Sequence, residues 1–175
     1  MDNKTMFMVL LFAIVFAVCL LFGIASRKAI KGHYDEMQKM NQGKANQIAF
    51  FTTLIFLATY FVYDYIMGDT FVRLSAAFLA LITIVIGVTV YLAYSIWTNA
   101  YIQVNQNGTA AFILYAVLAL LNLSVFFLNM DDLHITINNG ILQFDSNFVQ
   151  LAVAIVFGVC PVVFFVKKAL DKREN

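Results

Sequence analysis

The sequence predicts an all-α membrane protein. The expected architecture is a bundle of five transmembrane helices with the N-terminus outside and the C-terminus inside. A short extracellular β-hairpin is expected between helices four and five. Three observations lead there. The chain is 62% hydrophobic and only 12% charged, whereas a soluble domain is about half apolar and about a quarter charged. Its apolar residues gather in five runs, each near the ~20 residues that a helix needs to cross a bilayer. Its basic residues fall almost wholly on one side of the alternation those runs impose.

The five runs are Met6–Ser26, Ile48–Met67, Leu74–Trp97, Ala110–Leu128 and Phe148–Val166. Together they make residues 1–175 a single integral membrane domain, with no room for a separate soluble one. The single proline suits long helices. The first run is expected to be retained as a helix rather than cleaved. Its basic residues, Arg27 and Lys28, follow the apolar stretch instead of preceding it, and its end lacks the small-residue pattern of a signal-peptidase site.

The second run carries Asp64, the only acid inside a span. Such residues are functional candidates by default. Asp64 lies one turn from the end of its run, about 5 Å along a helix axis. Arg73 lies equally far past the Gly68-Asp69 turn. Two readings follow, a structural Asp64–Arg73 ion pair closing a hairpin of spans, or a proton or cation site at Asp64. Asp69 and Thr70 are expected to cap the third span. Tyr91, Tyr94, Trp97 and Tyr101 mark the inner end of that span, rings that favour the headgroup level.

Asn107-Gly108-Thr109 and Ser146-Asn147 offer caps for the fourth and fifth spans. Asn122 and Ser124 are expected to join helices by hydrogen bonds within the membrane. Pro161 is expected to bend the fifth span. Its neighbour Cys160, like Cys19, reads as a small buried hydrophobe. Spacings of small residues, Ala13/Ala17, Ala76/Ala80 and Ala154/Gly158, suit close helix packing. Between the last two spans, loop 131–147 reads DDLHITINNGILQFDSN. Asn-Gly between two β-rich runs, His134–Ile137 and Ile141–Phe144, is a hairpin signal. A hairpin is marginal alone and must lean on something. It could cap the bundle or meet a ligand.

Nine of the 11 basic residues set the orientation. Arg27, Lys28, Lys31, Lys39 and Lys44 lie in loop 27–47, and Lys167, Lys168, Lys172 and Arg173 lie in the tail. Only Lys4 and Arg73 fall on the opposite side. Basic loops stay in the cytoplasm.

Loop 27–47 is therefore cytoplasmic, and it is amphipathic. Ile30, Tyr34, Met37 and Met40 recur at helical spacing, with polar residues on the other faces. Gly43 is positioned to end this helix. Two geometries fit: a straight continuation of span one that folds back near Gly43, or a bend at Gly32 that lays residues 33–42 on the membrane surface. The loop is either a connector or a docking surface for a partner through Tyr34, Met37 and Met40.

Tyr34-Asp35-Glu36-Met37-Gln38, then Gly43-Lys44-Ala45, then Ala49-Phe50-Phe51 make a recognisable succession. It resembles a loop motif, roughly YDERQ then RGKA then an aromatic-rich helix, of small uncharacterised multi-pass membrane proteins of Gram-positive bacteria. Met37 and Gln42 stand where that motif usually has arginines. The resemblance covers about twenty residues of the chain. It implies a bacterial plasma membrane location, genes near small regulators or transporters, and no established activity.

Recognisable catalytic chemistry is missing from the sequence. No phosphate loop, dinucleotide fingerprint, HExxH or GxSxG occurs. His33 and His134 fall on opposite sides of the membrane by this topology, so no shared site is expected. One histidine beside Asp131 and Asp132 falls short of a zinc ligand set. No cofactor, no metal and no catalytic residue are expected. A net charge of +1 gives no reason to expect nucleic acid. The expected partners are the lipid bilayer, a cytoplasmic or membrane protein, and a further copy of the chain. The expected function is that of a non-catalytic regulatory, sensory or accessory subunit in the cell membrane. The alternative is a small homo-oligomeric transporter or channel, in which Asp64 would matter most.

Overall fold

The computed structural model describes residues 34–67, 72–102, 108–129, 136–138, 140–143 and 147–174. The chain divides into two units at Asp35, and all that follows except Tyr34 and Asp35 belongs to the unit Glu36–Asn175. The expected first span, 6–26, lies outside the described residues, as do His33 and His134. So do Cys19 and the acids Asp131, Asp132 and Asp145.

The helices are α1 (Glu36–Met67), α2 (Ala76–Trp97), α3 (Gly108–Leu128) and α4 (Asn147–Glu174). The strands are β1 (Arg73–Leu74), β2 (Thr136–Asn138) and β3 (Ile141–Gln143). Among the described residues, four helices are long and apolar enough to cross a membrane.

The first helix corrects an expectation. Gly43 does not end a helix; it lies inside α1, which runs unbroken from the polar loop into the second apolar run. The fold-back expected near Gly43 does not occur: from Glu36 on, the segment is an N-terminal extension of the second run's helix, while the bend expected at Gly32 lies outside the described residues. An interior glycine costs about 1 kcal/mol, and it is flanked by good helix formers, Gln42, Lys44 and Ala45. Other boundaries move as well. Ser75 caps α2, its Oγ accepting from Phe78 N at 3.2 Å, and Leu74 belongs to β1. Gly108 and Thr109 are already helical, as is Asn147. The basic tail continues α4 to Glu174. Pro161 lies buried inside α4, which continues on both sides of it.

The helices pack in the order α1, α2, α4, α3. In the first pair, contacts move forward along α1 as they move back along α2. Gln38 meets Ile102, Gln42 meets Ala100, Thr53 lies against Gly87 and Tyr60 meets Leu74. This is an antiparallel hairpin with small residues at its seam. Ala45, Ala49 and Ser95 are buried, and a Cβ on Gly87 would lie 2.9 Å from Thr53 Cγ2. In the second pair, Phe112 stacks on Phe164 and Phe126 meets Phe148, again antiparallel. Gly158 lies beside Ala119 on this seam. Ala76 and Ala80, by contrast, are exposed.

One end of the unit carries the strands, the other the turn after α2. At the sheet end, β2 and β3 pair antiparallel, Thr136 with Gln143 and Asn138 with Ile141. Gly140, at φ +75°, takes the left-handed conformation the turn needs. The support for this small ladder comes from β1, which pairs parallel to β3 and gives the order β1-β3-β2. Arg73 N donates to Gly140 O at 2.7 Å, and Ser75 N to Leu142 O at 2.9 Å.

At the turn end sits a cluster of buried core residues. Ile96, Phe112 and Cys160 are almost wholly buried, ringed by Tyr101, Ile102, Tyr115 and Phe164. Phe112 and Phe164 stack with centroids 4.2 Å apart, a favourable arrangement for aromatic pairs. Gly108 makes room for it, since a Cβ there would fall 2.3 Å from Ile102 Cδ1.

Between the ends, large apolar side chains face outward. Phe51, Ile55 and Phe61 of α1 are each 60% exposed or more, as suits helices whose outer solvent is lipid. Polar groups here turn inward on their own helices. Thr52, Thr59 and Thr83 each donate to the carbonyl four residues back, at 2.7–2.8 Å. Asn122 and Ser124 do the same, to Leu118 O and Leu120 O. This corrects the expectation that they hydrogen-bond across helices. A carbonyl one turn away is always within reach, whereas a partner on another helix requires register.

Candidate functional site

Every helix ends with carbonyls that have no partner in the helix. At the end of α2 the first are met locally. Thr98 donates to Tyr94 O through both its N, at 3.0 Å, and its Oγ1, at 2.9 Å. Asn99 turns left-handed at φ 55°, a conformation that asparagine tolerates. This reverses the chain, and Ala100 N reaches Ser95 O at 2.8 Å.

The next carbonyls are met from other helices. Gln38 Nε2 donates to Asn99 O at 2.8 Å and to Ile102 O at 3.0 Å. Gln42 Nε2 donates to Ala100 O at 2.7 Å, and Asn41 Nδ2 reaches Thr98 O at 3.5 Å. Lys167 of α4 donates to Trp97 O. Three amides on one face of α1 and one ammonium on α4 thus grip a single turn. Beneath it, the Tyr101 and Tyr115 hydroxyls pair at 3.0 Å.

The polar extension of α1 therefore has two sides. Its inner side is the amide row Gln38, Asn41 and Gln42, continued by buried Ala45 and Ala49. Its outer side carries Met37, 60% exposed, and Met40, 47% exposed, with Lys39 and Lys44 exposed beside them. The structure brings Met37 and Met40 together on that outer face, three residues apart. Tyr34 is half-buried, precedes the helix and belongs to the other unit.

The other candidate residues meet at the sheet end. Arg73 Nε lies 2.9 Å from Asp64 Oδ1, with both side chains just over 40% exposed. The Nε–H is not aligned for a hydrogen bond to that oxygen, so the contact is a charge pair. Half-exposed pairs of this kind contribute at most about 1 kcal/mol. Close by, Leu74 N donates to the Tyr60 hydroxyl at 3.0 Å. The last turns of α1 are thus tied to β1 twice. Among the described residues, no group of three His, Cys, Asp or Glu side chains could hold a metal.

Sequence reasoning missed the amide row. The signal was present, because positions 38, 41, 42, 45 and 49 form one helical stripe of amides and alanines. A search for apolar periodicity passes over such a stripe. It also missed β1, whose two residues are too short for any pattern.

Four helices long and apolar enough to cross a membrane make this a polytopic helical protein of the membrane-spanning type. No family model, curated protein or solved structure matches the chain.

Proposed function

We propose that this chain is a non-catalytic regulatory, sensory or accessory subunit of a bacterial cell membrane. In this reading it has five spans, its N-terminus outside and its C-terminus inside. The small sheet then lies outside, and the turn end with its basic tail faces the cytoplasm. The subunit acts through the outer face of the α1 extension, where Met37 and Met40 meet a protein partner.

The observation that supports this reading is the two-sidedness of the extension. Its inner face is held by amide hydrogen bonds, while two methionines on the outer face stay exposed. A surface fixed in advance loses little entropy on binding, and methionine adapts to varied partners. The resemblance of this same segment to the loop motif of small Gram-positive membrane proteins points the same way.

The test is brief cross-linking in native membranes, mild solubilisation and mass spectrometry. A stoichiometric protein partner is expected, lost in a Met37→Glu/Met40→Glu variant that still melts like the parent chain. Recovery of nothing but further copies of the chain, unaffected by these substitutions, would reject the reading. It would turn attention to a homo-oligomeric transporter or channel, and there Asp64→Asn is the next variant.

A further inference from the structure

The outer seam of α3 and α4 holds an open apolar groove of about 520 Å3. Ala116 and Ala119 on α3 and Gly158, Pro161, Val162 and Phe165 on α4 line it. It exists because small residues face each other there. Even a Cβ on Gly158 would touch nothing nearer than Ala119 Cβ, at 3.8 Å. Left empty in a bilayer, such a wall would forgo dispersion contacts along its length.

The charges beyond the groove indicate what fills it. On a helix, residues seven apart share a face. Lys168 repeats Pro161, Lys172 repeats Phe165, and Arg173 repeats Val166, another groove residue. Three exposed cations therefore continue the groove's own face of α4 toward the turn end. Lys168 lies nearest, two residues past Val166 or about 3 Å along the axis; its ammonium rests 5.9 Å from the ring centroid of Phe164, a core residue beside the groove, and reaches the headgroup by a swing of its flexible side chain. Side chains on a helix lean toward its N-terminus, so Lys172 and Arg173 lean in the direction of the groove. Lys167 has a different task, since it holds Trp97 O and has Asp171 one turn away. The basic tail is thus divided between one structural lysine and three cations on the groove face.

We propose that the α3–α4 groove binds an anionic glycerophospholipid. One acyl chain lies along Ala119, Gly158 and Val162, and the headgroup phosphate meets Lys168, Lys172 and Arg173. The apolar trough and the cations at one end match the two halves of such a lipid in order and polarity. This site is separate from the Met37–Met40 face and stands or falls without it.

Native mass spectrometry of the full chain in mild detergent tests the proposal, with phosphatidylglycerol and phosphatidylcholine as probes. Phosphatidylglycerol should be retained at least about fivefold better, roughly the effect of one cation at an anionic headgroup. The triple variant Lys168→Gln/Lys172→Gln/Arg173→Gln should lose that preference. Leu120→Trp and Val162→Trp, on exposed groove positions, should lower the retention of both lipids. Gly158→Ala fits without collision and should weaken retention without lowering the melting temperature.

Equal retention of the two lipids overturns the proposal. So does retention of both lipids that is unchanged in all three groove variants, which would reduce the effect to a basic surface. Displacement of the lipid by inorganic phosphate alone would remove the acyl chain from the account. Cross-linking of Val162→Cys to a second copy, or to this chain's own residues 6–26, would give the groove a protein occupant instead.

Discussion

Two glycines of the unit Glu36–Asn175 carry opposite expectations. At Gly108, a Cβ would meet Ile102 Cδ1 at 2.3 Å and Phe112 Cε2 at 3.4 Å, beside the buried core cluster. Overpacking of this kind costs about 1–3 kcal/mol. At Gly43 a Cβ would meet nothing within 4 Å, and the position is helical. Replacing glycine with alanine there should gain about 0.5–1 kcal/mol. Thermal melts in detergent should therefore move down for Gly108→Ala and up for Gly43→Ala. A rise for both would mean that Ile102 gives way freely and that the turn end is looser than its packing indicates. Neither role can be read from the residue itself. Both glycines look like breakers in the sequence, and only the neighbours decide which one is essential.

At the scale of elements, α1 is the instructive case. Its apolar part is legible from composition. Its first three turns are not, because their stability comes from α2 and not from their own pattern. Gln38 and Gln42 together make three hydrogen bonds to the turn after α2, each worth about 0.5–1.5 kcal/mol. A Gln38→Ala/Gln42→Ala variant should fray α1 from its start. Hydrogen exchange of residues 37–46 should speed up several-fold, while residues 50–60 keep their protection. Unchanged exchange over 37–46 would show that the segment is helical by intrinsic propensity, and that the amides only decorate it. The small sheet makes a similar point. The Asn139-Gly140 turn can be read locally, but the strand that supports the ladder is Arg73–Leu74, more than sixty residues earlier. The Arg73 side chain also faces Asp64, so backbone pairing and side-chain charge act at one position.

For the whole unit, the turn and the sheet lie at opposite ends of antiparallel helices long and apolar enough to cross a bilayer, so a transmembrane arrangement predicts that they face opposite sides of the membrane. Single-cysteine labelling in intact vesicles checks this, after Cys19 and Cys160 are replaced by alanine. Cysteines at Met37, Asn99 and Lys172 should react from one side, and a cysteine at Ile137 from the other. Labelling of all four from the same side would exclude the transmembrane arrangement of these helices. The outward apolar faces of α1 and α3 should stay unreactive to a membrane-impermeant reagent, as expected of surface solvated by lipid.

The sequence by itself determined the solvent and the gross plan. Apolar runs of near-bilayer length, with few charges inside them, become helices because a helix satisfies its own backbone where no water can. Composition is enough for that, since it needs no knowledge of neighbours. Only the tertiary structure decided what the polar residues do. It turned Gln38, Asn41 and Gln42 inward onto the carbonyls of α2 and left Met37 and Met40 outside, the reverse of a greasy-side-in rule. It sent Asn122 and Ser124 back to their own helix and set Lys167 apart from Lys168, Lys172 and Arg173. A hydrogen bond depends on direction and on the position of one partner atom, whereas burial in lipid depends on area. The first is fixed by register between distant segments, and the second can be summed along the chain.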